Sequence, residues 1–350
     1  MMNLAVEQDL GLGLLSRVAY VGSRGQHMTV TLEQNPAVYI PFQTGSTTSA
    51  CTLSTDQRRI YNDPGTTCTN SAPPATLFSN IYTQNNSGNS WYHSAQFSLT
   101  RPLSHGLTVL ASYTWSKSTD SLPFNTDAAT FGTSGYYVLP ITTPNFRRFD
   151  QGLSDYNHAN VFVASYVLQT PKLQNMNGFT RRVLGNWETS GVFTGESGAP
   201  LNVTAGVDQS KTGIGADRAQ WSGASPYQKG ACSGTTAPCR QWLNRSAFSL
   251  PPVGTPGNVG KGQFIGPGFW NWDMSAVKNF PFTERFGMQF RAEFFNTFNH
   301  TNFSYNAAGV TSGGTTAASV TQANPSLASF GEILGAADPR ILQFALKFSF

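Results

Sequence analysis

Large apolar residues occupy every second position at the end of the chain. Leu342, Phe344, Leu346, Phe348 and Phe350 alternate there with small or polar residues. A period of two is the period of a β-strand, whose successive side chains point to opposite faces. In water, such a row of Phe on an edge strand would promote aggregation. The pattern instead favours a strand with lipid on one side and a wet lumen on the other.

The same alternation recurs along the chain and predicts about nine strands, each close to the length that a tilted strand needs to cross a bilayer. The segments are 3–9, 13–22, 91–101, 107–116, 159–169, 186–196, 270–277, 286–295 and the terminal one. Aromatic residues lie near the ends of these segments, as they do at lipid–water interfaces. The predicted fold is all-β: an antiparallel transmembrane β-barrel segment.

Short and long connections alternate between the predicted strands. Short turns are predicted at 11–13, 102–106 and 280–285, and long loops at about 23–90, 117–158, 197–268 and 299–339. Structureless loops of this length are uncommon in compact soluble domains, whereas outer-membrane barrels have short periplasmic turns and long external loops. We therefore expect an outer-membrane protein with extracellular long loops and a periplasmic C-terminus, in contact with outer-membrane lipid.

The composition agrees with a β-protein. Charged residues make up 11% of the chain and aromatic residues 13%, with 34 Gly and 20 Pro. The chain contains no run of about 18 apolar residues, the length that a transmembrane helix needs. The net charge of +4 is scattered, so we expect no nucleic-acid partner. A soluble, secreted β-rich lectin or enzyme remains the less favoured alternative.

The nine predicted strands are an odd number, which affects whether they can close into a barrel. Complete single-chain bacterial barrels have an even number of strands, because the first and last must pair antiparallel. The first ten residues also lack the basic and apolar regions of a signal peptide. We therefore expect residues 1–350 to be part of a larger barrel and inactive alone.

Four segments carry a family resemblance: Arg17–His27, Ser90–Thr100, Ala111–Lys117 and Phe290–Phe303. They resemble the barrel of Oar-like TonB-dependent receptors, which also have an N-terminal carboxypeptidase-regulatory-like domain and a plug. The resemblance implies a 22-stranded barrel of which this chain is the C-terminal part, and energy-coupled uptake of a bulky nutrient. It also implies that TonB is contacted only through the absent plug part. Phe344, Phe348 and Phe350 then look like the signal that the outer-membrane assembly machinery recognises.

Several polar residues are predicted to face the lumen. They are Gln289, Arg291, Glu293, Gln343 and Lys347, with Glu188 and Glu196 on another strand. Charge on the lipid face would cost about 2–4 kcal/mol at the bilayer midplane, which favours the inward assignment. We expect mainly a structural lumen network, with direct solute contact as the alternative.

The long loops hold the remaining candidates. Cys51 with Cys68 and Cys232 with Cys239 lack the spacing of a metal site, so we expect two disulfides formed in an oxidising compartment, with free thiols as the alternative. Aromatic and charged residues in the third long loop could grip a sugar or a peptide. These residues are Asp217, Arg218, Trp221, Tyr227 and Trp242. A solvated loop pinned by its disulfide is the plainer alternative.

The sequence contains no convincing catalytic constellation, since its five histidines lie in predicted turns or strand ends and share no common spacing. We expect no enzyme activity, no cofactor and no metal. A structural or adhesive surface protein, whose loops bind a partner while the barrel only anchors them, is the second interpretation.

Overall fold

The computed structural model describes residues 1–11, 13–40, 53–62, 77–104, 106–122, 139–140, 142–171, 177–214, 217–230, 232, 239–283, 286–303, 330–333 and 335–350. The strands in these ranges are β1 (Met2–Gly11), β2 (Leu14–Glu33), β3 (Tyr82–Ser104), β4 (Leu107–Asp120), β5 (Gly152–Leu153), β6 (Asn160–Gln169), β7 (Trp187–Glu196), β8 (Pro200–Leu201), β9 (Gln220–Trp221), β10 (Tyr227–Gly230), β11 (Arg240–Leu243), β12 (Phe248–Ser249), β13 (Phe264–Ile265), β14 (Phe269–Pro281), β15 (Gly287–Phe295), β16 (Glu332–Ile333) and β17 (Ile341–Ser349). One short α-helix, α1 (Gly178–Leu184), and four 3-10 turns at Asp56–Arg58, Ile60–Asn62, Phe146–Asp150 and Arg245–Ala247 accompany them. No helix in the described ranges is both long enough and apolar enough to cross a membrane.

Nine long strands form a single antiparallel sheet, which we call the wall. Their order is β1-β2-β3-β4-β6-β7-β14-β15-β17, with the short β5 paired to β4. Each wall strand lies beside the next wall strand along the chain, so the sheet is a meander. This confirms the predicted all-β, antiparallel architecture and the nine predicted strand segments.

The two faces of the wall differ in chemistry. Directly paired residues share a face, so the register defines rows that run across the strands. One row is apolar: Val6, Val18, Phe97, Tyr113 and Phe162 on five successive strands. The adjacent row, one residue along, is Glu7, Arg17, Ser98, Ser112 and Val163. We call the apolar side the outer face and the mixed polar side the inner face.

The short turns lie at one end of the wall. In the turn after β1, the Asp9 carboxylate accepts a 2.8 Å hydrogen bond from the Gly11 amide. In the turn before β4, Gly106 has a φ of 80°, and a Cβ there would lie 2.4 Å from the Gln169 carbonyl oxygen. A glycine is therefore required by both the backbone and the close approach. The β6–β7 connection, which contains α1, lies at this same end.

The strands extend further at the opposite end than the sequence predicts. The predicted loop 23–90 is wrong at both edges, because β2 continues to Glu33 and β3 begins at Tyr82, and these two residues pair. β4 likewise continues to Asp120, into the predicted loop 117–158. The extensions of β3 (residues 82–90) and β4 (residues 117–120) lack apolar alternation. In β2, beyond the register shifts between Gly25 and Val30, Met28, Val30 and Leu32 do alternate with polar residues. Val30 and Leu32 are buried with Leu122 and Phe146 packed against them, so alternation here reflects packing on protein, and the predicted end of β2 was too early.

The long connections between β2 and β3, β4 and β6, β7 and β14, and β15 and β17 form what we call the loop layer. Residues expected to be irregular loops are folded here around a hydrophobic core that includes Leu201, Val203, Leu243, Val259 and Ile333. Three small sheets support this core, pairing β10-β11-β16, β12-β9 and β13-β8. The long loops are therefore largely packed structure in the described ranges.

Candidate functional site

The five residues predicted to face the lumen share the inner face. Gln289 lies opposite Lys347, and Glu293 lies opposite Gln343, while Arg291 lies between them on β15. Glu188 and Glu196 on β7 are on this face as well, because Val277 and Phe269 of β14 pair with them in the same register.

Charged and amide side chains of β14 and β15 contact one another on the inner face. Arg291 Nη1 lies 3.6 Å from the Glu293 carboxylate, and the arginine is half exposed. Such an exposed pair contributes about 0–1 kcal/mol, so the two charges remain available to other partners. Gln289 Nε2 donates to Asn279 Oδ1 at 2.9 Å. The inner face of β14 and β15 is thus a mainly polar surface with exposed charges.

A cavity of about 560 Å³ lies at the short-turn end of this surface. Its lining includes Gln169, Glu188, Asn279, Gln289 and Lys347. Glu188 accepts a 2.9 Å hydrogen bond from Gln169 Nε2. The lining also includes Trp187, Phe280, Pro281 and Met288, so the cavity offers a carboxylate, an ammonium and several amides beside apolar surface.

Buried cations join the loops of the loop layer. Arg218, from the β7–β14 connection, donates to Asp150 of the β4–β6 connection, and both side chains are buried. Burial lowers the pKa of Arg218, and the Asp150 carboxylate opposes this effect. Lys261 donates to the Asp120 carboxylate and, at 2.7 Å, to the Leu122 carbonyl. Each pair closes a junction between segments that are distant in the sequence.

Two arginines secure the β2–β3 connection in the same manner. Arg58 NH1 donates to the Val38 carbonyl at 2.9 Å and to the Lys211 carbonyl at 2.6 Å, so it reaches the β7–β14 connection. Arg59 is buried and donates to Asp56 Oδ1 at 2.7 Å and to the Asn35 carbonyl at 2.6 Å. Removal of these charges from water is offset by nearly complete hydrogen bonding.

The predicted ligand contacts divide into two groups. Asp217 and Arg218 are buried inside the loop layer, so neither offers exposed surface to an external ligand in this structure. Asp217 Oδ2 accepts a 2.6 Å hydrogen bond from the Ser210 amide. Burial raises the pKa of Asp217, and the nearby Asp208 carboxylate adds to this rise, while the Ser210 hydrogen bonds oppose it.

The three aromatic candidates lie nearer the surface. Tyr227 is exposed, and its ring meets Trp242 edge-on with centroids 5.9 Å apart. The Ile265 amide donates to the Tyr227 hydroxyl, and Trp242 Nε1 donates to the Ile265 carbonyl. Trp221 packs edge-on against Phe264 of the loop core. These rings are held in place by the layer and keep part of their surface free for contact.

A second cavity, of about 370 Å³, lies between three of the long connections. Its lining combines apolar groups, including Val38, Tyr39 and Pro256, with the hydroxyls of Ser210 and Thr212. An apolar cavity with a few hydroxyls is a common arrangement for binding a small organic group. No sequence pattern indicated this cavity, because its lining residues come from separate loops.

The cysteines were predicted to form two disulfides. Cys232 and Cys239 are joined, with a Cα–Cα distance of 6.0 Å, and bring the strands β10 and β11 together. Glu332 lies beside the two sulfur atoms, but bonded sulfurs are not thiolate ligands, so this group is not a metal site. Cys51 and Cys68 lie outside the described residues.

The residues of the predicted assembly signal are exposed on the outer side of the wall. Phe344 stacks on Phe290 of the neighbouring strand with ring centroids 6.3 Å apart, while Phe348 and Phe350 are largely uncovered. They form an apolar row along the edge strand that a protein or lipid can contact.

Sequence reasoning missed Asp120, Asp150 and Lys261. A usable signal existed, because charged residues are scarce in this chain and these three lie in or beside Gly- and Pro-rich segments. A buried charge needs a partner, but the partner is too distant in sequence to be identified from spacing.

The chain is similar to known outer-membrane proteins. A family model described as an outer membrane beta barrel domain matches residues 1–343. None of the curated proteins matches the chain. Among solved structures, the outer membrane transporter YddB from Escherichia coli aligns with a TM-score of 0.45 and 9% identity, over 99% of this chain and 32% of that chain. This chain therefore spans about a third of that transporter's length. Because the family model covers nearly all of the 350 residues, the protein belongs to the outer membrane beta barrel domain family.

Proposed function

We propose that this chain forms part of the wall of a TonB-dependent outer-membrane receptor that takes up a bulky nutrient. The observation that carries the proposal is the open wall of nine strands with a polar inner face. In the described residues, β1 pairs only with β2 and β17 pairs only with β15. Unpaired backbone groups are costly inside a bilayer, so both edges require further strands.

The direction of the edge strands restricts how the wall closes. With nine antiparallel strands, β1 and β17 run the same way, towards the short-turn end. Antiparallel closure therefore needs an odd number of additional strands. A second copy of this wall would also add an odd number, nine strands. Parity alone therefore does not distinguish closure by further strands of the same protein from closure by a second copy. The resemblance to Oar-like receptors favours 13 further strands of the same protein, and a barrel of 22 strands encloses a plugged lumen.

The remaining parts of the proposal follow from this architecture. The inner-face polar residues, including Arg291, Glu293 and Lys347, would contact a plug domain, and TonB would act on that plug. The long connections would lie outside the cell and Phe350 in the periplasm, where the assembly machinery reads the terminal strand. Tyr227, Trp221 and Trp242 would offer aromatic surface to the nutrient. No bond-breaking chemistry is involved, and the wall alone would not transport.

A structural or adhesive surface protein is the second candidate. The observation that favours it is the loop layer, which has its own core and buried ion pairs and so presents a fixed external surface. In this alternative the wall only anchors that surface in the membrane.

Uptake in the native bacterium tests the two candidates. Cells with the gene intact or deleted would be supplied with labelled siderophore-iron, cobalamin, oligosaccharide and peptide, with and without a protonophore. We expect one compound class to enter only in intact cells and only without the protonophore. Unchanged uptake of all four classes, with loss of surface attachment in the deletion, would replace the receptor proposal with the adhesive one.

The native assembly provides a second measurement. An antibody against residues 341–350 should detect a heat-modifiable species much larger than a 350-residue chain, containing the plug. A species of 350 residues that closes by itself in the membrane would overturn the wall proposal.

A further inference from the structure

The short helix α1 is fixed at its C-terminal end to the wall. The Val183 carbonyl accepts hydrogen bonds from Trp187 Nε1 at 2.7 Å and from Lys278 Nζ at 3.3 Å. The Leu184 carbonyl accepts from Thr170 Oγ1 at 3.3 Å, and Lys278 also donates to the Gly185 carbonyl. The last carbonyls of a helix lack partners within it, so these strand residues complete the helix end.

Lys278 is unusual because it lies on the outer face of the wall. Its register partners are Trp187 and Phe290, both in the outer-face rows. Its ammonium lies 5.3 Å from the centre of the Trp187 ring and 5.5 Å from that of Phe280, and the residue is only 2% exposed. The carbonyls at the negative end of α1 and the two ring faces stabilise this charge. Lys278 therefore holds α1 against the outside of the wall.

Three apolar side chains of α1 are exposed. Phe179 is 78% exposed, Val183 44% and Leu184 56%. A helix of seven residues is not stable in water by itself, and an isolated apolar patch is not expected on a surface that contacts only water. The fixed C-terminal end and the exposed apolar side chains together indicate that α1 is positioned to contact an apolar partner and not only water.

The apolar surface of α1 continues into the outer face of the wall. Trp187 and Phe280 join the two, and Phe282 and Phe286 stack with centroids 5.4 Å apart in the adjacent turn, where both are exposed. The outer face of an outer-membrane barrel contacts lipid. Because the α1 surface is continuous with this lipid-contacting face, the partner that covers it is membrane phospholipid. The contact lies at the headgroup–acyl interface, where aromatic rings and amphipathic helices are most stable.

We propose that α1 is an interfacial anchor that inserts Phe179, Val183 and Leu184 into the headgroup–acyl boundary of the leaflet at the short-turn end, with Lys278 as its positioning residue. The anchor would fix the depth of β6, β7 and β14 in the membrane. The proposal depends on the barrel family and not on TonB coupling or on the identity of the nutrient.

Lipid-quenching measurements on the native assembly test the anchor. An environment-sensitive fluorescent amino acid would replace Phe179, with the same replacement at Phe97 on the outer face and at Val253 in the loop layer as controls. The protein would be reconstituted in phosphatidylethanolamine–phosphatidylglycerol vesicles that carry a doxyl group near the headgroup or deep in the acyl chain. We expect shallow doxyl lipid to quench position 179 at least three-fold more than position 253, and deep doxyl lipid to quench position 97 most.

Equal quenching at positions 179 and 253 would overturn the proposal. A blue shift at position 179 that occurs only after addition of a periplasmic extract would also overturn it, and would indicate a protein partner. The variant Lys278→Met tests the positioning role: we expect the quenching at 179 to fall towards the value at 253, while Lys347→Met on the inner face leaves it unchanged. Unaltered quenching in Lys278→Met would remove the positioning role from Lys278.

Discussion

Lys261 donates to the Asp120 carboxylate, and the two residues are 141 positions apart in the sequence. Both side chains are buried, and Asp120 is the last residue of β4. The pair thus connects the β7–β14 segment of the loop layer to the end of a wall strand. Because the lysine also donates to the Leu122 carbonyl, its charge is well compensated, and the junction between layer and wall depends on this residue.

We predict that Lys261→Met loosens the loop layer without unfolding the wall. Removing one partner of a buried ion pair typically costs about 3–5 kcal/mol, because the other charge stays buried and unpaired. Hydrogen exchange should show faster opening of the segment around Val259, with unchanged protection in β3 and β4.

The double variant Lys261→Met/Asp120→Asn checks the cause of this loss. Asparagine keeps an oxygen that can accept from the Leu122 amide, as Asp120 does at 2.9 Å. We expect the double variant to recover part of the protection. The exposed Lys229→Met serves as the matched control, and an equal loss there would show that the effect is not due to the buried pair.

The facing of the wall strands can be tested with two adjacent residues of β6. Phe162 lies in the apolar row of the outer face, and Val163 lies in the neighbouring inner-face row. We predict that Phe162→Arg destabilises the membrane-inserted protein by about 2–4 kcal/mol, whereas Val163→Arg has a much smaller effect. The measurement is the yield of heat-modifiable protein in outer-membrane fractions. Equal yields from the two variants would contradict the assigned faces.

The pKa of Asp217 predicts a pH dependence of the loop layer. Since burial raises this pKa, the folded layer binds more protons than the unfolded one between the ordinary carboxyl pKa and the raised value. The contribution of Asp217 to stability therefore falls as the pH rises through this interval and stays low above it. We expect Asp217→Asn to remove this dependence and to protect the segment around Ser210 better than the native residue at neutral pH. Hydrogen exchange of the native protein and the variant near pH 5 and pH 7 would measure this dependence. If protection of the native layer increased with pH relative to the variant, the prediction would be contradicted.

The Cys232–Cys239 disulfide should stabilise only its own hairpin. The loop that it closes is short, so the expected contribution is about 2 kcal/mol. We predict that the double variant Cys232→Ser/Cys239→Ser exposes β10 and β11 to protease while the β14–β15 hairpin stays protected. Digestion of intact membranes followed by mass spectrometry of the fragments would measure this. Loss of the entire protein from the membrane would show that the disulfide has a wider role.

How much of the structure was predictable differs between the wall and the loop layer. The alternation of Val6, Val18 and Phe97 with small or polar neighbours predicted the strands and both faces, because the side-chain direction in a strand repeats every two residues. The same rule placed Gln289, Glu293 and Lys347 on one face. The prediction ended β2 at Gly22, although Met28, Val30 and Leu32 alternate with polar residues beyond it, and it missed the start of β3, which has no apolar alternation.

The sequence by itself determined the strands, their faces and the outer-membrane class, since these depend on residue chemistry over a few neighbouring positions. Only the tertiary structure decided that Arg218 and Asp217 are buried, that Lys261 pairs with Asp120, and that Lys278 holds α1 against the wall. These contacts join residues brought together by the folding of separate loops, and many alternative pairings are compatible with the same spacing. Which pair forms is determined by how the loops pack, because packing decides which charges lose contact with water.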